Sequence, residues 1–68
     1  MIQNPAQLQQ AIEQIERLYV GLKALRRDIL PQNARNFAVL AEGPLDEIRK
    51  LQFEIDEYVT GLSQPAAA

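Results

Sequence analysis

Between Leu8 and Ile29 the apolar residues recur at alternating intervals of three and four: Leu8, Ala11, Ile15, Leu18, Leu22, Leu25, Ile29. That spacing places all seven on one stripe of an α-helix, and no strand period of two can produce it. With Leu8 at position a of a seven-residue repeat, every a and d site through Ile29 is apolar, the pattern of a helix packed along a seam. Ile12 and Tyr19 stand at e and widen the stripe on one side. The start is marked by Asn4 as N-cap, Pro5 at the first helical position and Gln7 where a capping box takes Glu or Gln. Pro31 disfavours helical geometry at Leu30, which predicts a first helix over residues 5–30.

A second stripe of the same spacing runs through Ile48, Leu51, Ile55, Tyr58 and Leu62, with Leu45 and Val59 flanking it at e. Pro44 at the first turn, followed by Asp46 and Glu47 near the positive helix end, predicts a second helix over 44–62. Gly61 and Pro65 stand where a stop is expected, leaving 63–68 as a frayed tail. The connector, 31–43, is long for neighbouring helices, so it is expected to hold a short helix. Asn33 would cap that piece, Gly43 would close it, and Phe37, Leu40 and Ala41 would cover the end of the hairpin.

Charge favours folding back. Residues 17–35 carry Arg17, Lys23, Arg26, Arg27 and Arg35 against Asp28, for +4, and residues 42–57 carry six acids against Arg49 and Lys50, for −4. Antiparallel pairing would set the basic end of the first helix beside the acidic start of the second, with Glu13–Arg17 and Asp46–Lys50 as local pairs one turn apart. The fold class is therefore all-α: one domain, 1–68, an antiparallel helical hairpin with a short connecting helix.

A chain of 68 residues buries only about 60% of the surface its unfolded form exposes. It has no cysteine and no histidine, so disulfides and zinc are closed to it as stabilisers, which points to oligomerisation. The apolar stripe, wider than one helix pair can cover, predicts a homodimer completing a four-helix bundle. Its seam would comprise Leu8, Ile12, Ile15, Leu18, Tyr19, Leu22, Leu25, Ile29, Ile48, Leu51, Ile55, Tyr58, Val59 and Leu62. Gly21, inside the first helix, is either a tolerated imperfection or the site of a close helix crossing.

Several function classes are disfavoured. Without His or Cys there is neither an ordinary general base near neutral pH nor a thiolate nucleophile, and Ser63 and Thr60 have no activating partners in the pattern, so no enzyme is expected. The pairs Glu13/Glu16 and Glu54/Glu57 share helix faces but lie off the stripe and lack the histidine of a bundle di-iron site. They read as solvated, and neither cofactor nor metal is expected. Lys23, Arg26, Arg27 and Arg35 could contact phosphates, yet a net charge of −2 and the absence of a stacking platform or basic tail make nucleic acid the lesser expectation. Phe53, at position f among Arg49, Lys50, Asp56 and Glu57, is the candidate for contact with another protein. No apolar run is long enough to span a bilayer, and Met1–Pro5 lacks the features of a secretory signal, so a cytoplasmic protein is expected.

The run Ile48-Arg49-Lys50-Leu51-Gln52-Phe53-Glu54-Ile55-Asp56-Glu57-Tyr58 resembles a helical segment ahead of the DNA-binding domain in bacterial helix-turn-helix regulators of the antitoxin type. There a Leu-Arg-x-Glu-Ile-x-Glu-Tyr-like run forms an oligomerising helix. This sequence departs from that family in carrying no DNA-reading domain after the segment. The resemblance implies oligomerisation, as an accessory or antidote subunit, in a small bacterial regulatory system.

Overall fold

The computed structural model describes residues 1–63. Two helices pack against each other as a hairpin: α1, Pro5–Asp28, and α2, Ala34–Ser63. Asn4 caps α1 from extended backbone, its Oδ1 accepting from the Gln7 N–H at 2.9 Å. Gln7 reaches back one residue further than a capping box does, accepting from the Gln3 N–H at 2.7 Å.

The reversal is built from two carbonyls that each accept twice. The Leu25 oxygen takes the N–H groups of Ile29 (2.8 Å) and Leu30 (3.2 Å), and the Ile29 oxygen those of Gln32 (3.0 Å) and Asn33 (2.8 Å). Pro31, which has no N–H, sits in this turn without leaving a donor unpaired. No residue among those described adopts positive φ, so the chain turns without a left-handed residue. Asn33 then caps α2, its Oδ1 accepting from the Asn36 N–H at 2.9 Å.

The expected break at Gly43-Pro44 is absent. Residues 34–41 are helical and begin at Asn33 as anticipated, but the helix continues through Gly43 and Pro44, so α2 starts ten residues earlier than position 44. The reason lies in the stripe. Phe37, Ala41 and Pro44 extend the series Ile48, Leu51, Ile55, Tyr58 backwards at spacings of four, three and four. Stopping at Gly43 would abandon the contacts of Phe37, which is half-buried, and Ala41, which is 3% exposed. Proline inside a helix costs ~3 kcal/mol, because the carbonyl four residues back (here that of Leu40) loses its donor. Half-burial of the Pro44 ring on the seam and the contacts on either side of it offset that cost. Leu40 was expected to help cover the hairpin end; at position g it stands off the seam, 45% exposed.

The best-buried side chains are Ala11 on α1 and Ala41, Ile48 and Leu51 on α2. The remaining seam positions, Leu8, Ile15, Leu18, Leu22, Leu25, Ile29, Ile55 and Tyr58, are only half-buried, because one neighbouring helix covers one side of a helical stripe. Leu62, expected in the seam, is 66% exposed, since α2 there has run past the start of α1. The helix runs through Gly61 to Ser63; the rest of the expected frayed tail, 64–68, lies outside the described residues. No helix among the described residues is long and apolar enough to cross a membrane.

Candidate association surface

Two antiparallel helices joined along their a/d stripes put their e positions on one broad side of the hairpin and their g positions on the other, because reversing a helix reflects its flanks. On the e side lie Ile12, Tyr19 and Arg26 of α1 and Ala38, Leu45, Gln52 and Val59 of α2. Ile12, Tyr19, Leu45 and Val59 are all partly open to solvent, from 36% for Leu45 to 48% for Val59. The g side carries Gln7, Gln14, Gly21 and Asp28 opposite Leu40, Glu47, Glu54 and Gly61. One face is thus apolar and incompletely covered, and the other is polar with Leu40 as its one large apolar residue.

Phe53 is 64% exposed on the outer edge of α2, where its f position places it, and Val39 occupies the same edge two heptads, or about four turns, earlier. Of the anticipated flanking residues, Ile12, Tyr19 and Val59 share the apolar face with Leu45, whereas Phe53 stands apart from them.

The basic residues are brought only partly together. Lys23, Arg26 and Arg27 border a shallow depression with Pro31, while Arg35 lies beyond the turn and does not line it. Arg27 grips Asp28 with two hydrogen bonds, Nε to Oδ1 at 2.9 Å and Nη2 to Oδ2 at 3.1 Å. That hydrogen-bonded pairing raises the Arg27 pKa and holds the Asp28 carboxyl below its ordinary value.

The expected ion pairing between the helices is not found. Among the described residues the pairs are Met1 amine–Glu54 (3.4 Å), Arg27–Asp28 (2.9 Å) and Arg49–Asp46 (3.0 Å), and none joins α1 to α2. Because α2 begins at Ala34, the basic end of α1 lies beside residues 34–42, which hold Arg35 and one acid, Glu42. The acids from Asp46 onward sit beside the middle and start of α1. Asp46 is taken by Arg49 one turn on, in place of Lys50, and Glu13 accepts from Gln9 at 3.3 Å instead of meeting Arg17.

Charge is consequently sorted along the rod. The turn end, residues 23–41, holds Lys23, Arg26, Arg27 and Arg35 against Asp28, a side-chain charge of +3, and Arg17, Glu42, Asp46 and Glu47 lie in the middle stretch between the two ends. The open end, residues 1–16 with 48–63, holds Glu13, Glu16, Glu54, Asp56 and Glu57 against Arg49 and Lys50, a charge of −3. No group of three or more acidic, Cys or His side chains among the described residues is placed to hold a metal ion. Family models, curated proteins and solved structures give no match to this chain.

Proposed function

We propose that this chain is a non-catalytic helix-association module: it pairs with itself through the apolar face of the hairpin and presents its remaining surface to another protein. The observation that carries this reading is the one-sidedness of the hairpin. Of the two broad faces, one gathers Ile12, Tyr19, Leu45 and Val59 while the other carries Leu40 alone, the singly exposed Val20, Val39 and Phe53 lying on the outer edges. Scattered exposed apolar residues are ordinary, whereas four on one face are not. The dimensions support it. The Cα radius of gyration is 15.8 Å, against roughly 11 Å for a compact domain of this length. A hairpin of 57 × 19 × 14 Å is a single layer of helices, whereas domains are built from at least two packed layers. A second hairpin laid on the first supplies the missing layer and makes a four-helix bundle. Phe53, on the edge of that bundle, would remain accessible to a different protein. An accessory or antidote subunit in a bacterial cytoplasm is a role of this kind.

Sedimentation equilibrium over a dilution series, with helicity followed by circular dichroism, tests the reading. Helicity and mass should fall together on dilution. A compact, fully helical monomer persisting at nanomolar concentration would overturn it. Binding to nucleic acid through Lys23, Arg26 and Arg35 would instead show affinity falling steeply with salt, to which an apolar helix interface is nearly indifferent.

A further inference from the structure

The geometry points to a specific second copy on the apolar face: the two hairpins of the dimer lie turn to open end, related by a twofold axis across the middle of the rod. This rests on the association reading above and adds to it the face, the orientation and the residues that choose between them.

The orientation follows from charge. Laid side by side with turns together, two copies would set the +3 ends against each other, and Lys23, Arg26 and Arg35, at b and e positions, border the apolar face there. Like charges so placed repel within a Debye length of ~8–10 Å, and such juxtapositions discriminate strongly between docking modes. Reversing one copy carries the +3 end over the −3 end and takes Lys23 and Arg26 away from the other copy's turn, where Arg35 lies. Lys23 and Arg26, which form no ion pair within the hairpin, then lie over the uncharged start of the other copy's α1, Pro5 to Leu8.

The apolar positions fit the same axis. A twofold passing between Ile48 and Arg49, at the middle of α2, exchanges Ala38 with Val59 and Leu45 with Gln52, all e positions. On α1 an axis between Ile15 and Glu16 exchanges Ile12 with Tyr19. Each exposed apolar group then meets a non-charged side chain of the other copy, and the large residue Val59 meets the small residue Ala38. The area suffices. A face 19 Å wide and about 36 Å long, the length of a 24-residue helix at 1.5 Å per residue, covers roughly 700 Å² per copy. The resulting total, about 1,400 Å², lies in the range of specific interfaces.

The chain has no cysteine, so Gln32→Cys places a single spin label at the exposed turn, away from the apolar face. Pulsed dipolar spectroscopy of the dimer should read a label separation of ~45 Å, the length of α2 at 1.5 Å per residue. A separation below about 25 Å, two helix diameters, overturns the orientation while leaving self-association standing. Absence of any intermolecular separation, with a monomer by sedimentation at the same concentration, overturns this proposal and the association reading together. The face is tested by adding Leu45→Glu, or Val59→Glu should the first variant lose helicity. Either should abolish the ~45 Å distance, and its survival in a helical variant would show that another face is used.

Discussion

The two broad faces of the hairpin are made by the same helices, the same repeat and the same length of chain, yet they have different chemistry. On the e side, four large apolar side chains flank the seam, with Arg26 as the one charged e position. On the g side the flanks are amides, acids and two glycines, with Leu40 alone as an apolar intrusion. The difference teaches that the seam and its flanks answer to different constraints. The seam must be apolar for the hairpin to exist, whereas the flanks are free to be soluble, and only one of them is.

The sharpest calibration lies between the faces, in the core they share. Ile48→Ala removes the side chain of a residue 3% exposed and should cost ~2–5 kcal/mol by chemical denaturation at a concentration that keeps any assembly intact. Leu22→Ala, at a half-buried seam position, should fall at or below the low end of that range. A comparable loss from both would mean that a second chain buries Leu22 as fully as the hairpin buries Ile48.

The comparison of faces itself would break on a pair of substitutions. Tyr19→Glu, on the e side, should weaken self-association roughly 100-fold or more, since a twofold interface loses each apolar contact twice and each large side chain contributes ~1.5–3 kcal/mol when fully buried. Gln14→Glu, on the g side, should leave the sedimentation profile unchanged. The reverse result would transfer the interface to the polar face.

Gly21 sharpens the same point at smaller scale. A Cβ built there meets nothing within 4 Å, so within the hairpin the close-crossing reading has no support and Gly21 is a tolerated imperfection. Gly21→Ala should therefore raise the unfolding free energy by up to ~1 kcal/mol. A loss of assembly in this variant would mean that another helix approaches on the g side.

The smallest effect concerns acid. Asp28 has its pKa lowered by the hydrogen bonds from Arg27. The stability this gives is present above the ordinary carboxylate pKa and is lost as pH falls through the lowered value. Both groups are fully exposed, so Asp28→Asn should shift the acid limb of a pH–stability curve only slightly. A large shift would place Asp28 in an interface.

The helical class, the Asn4 cap and the a/d register of α1 could all be read from sequence, because each depends on spacing within a turn or two. The start of α2 could not be read by the same local rules. Gly43-Pro44 is a strong local stop, and it was overridden by a stripe whose continuation through Phe37 and Ala41 uses an aromatic at one turn and an alanine at the next. A signal was present in the unbroken alternation of three and four through Pro44, but a proline at a d position does not announce itself as core. The misplacement of charge followed directly. With the second helix starting ten residues earlier, its acids slid along α1 and the anticipated cross-helix pairs had no partners. The apolar flanks Ile12, Tyr19 and Val59 were legible as a widened stripe, but that they share one face depends on the antiparallel arrangement of the two helices.

Pro44 also divides α2 into lengths that differ in how firmly they are held. Its missing N–H interrupts the ladder of amide bonds at the Leu40 carbonyl, so the turn-side length, 34–43, is tied to the remainder by one bond fewer. That length contains Ala41 as its sole well-buried residue, whereas the following turns contain Ile48 and Leu51. Proteins open in cooperative pieces whose free energies track such burial. In deuterated solvent, amides of residues 37–43 should accordingly exchange through a partial opening, and those of residues 48–55 only when the hairpin comes apart. The proline that the helix tolerates thus gives the molecule a stable shaft and a tip that can loosen without it.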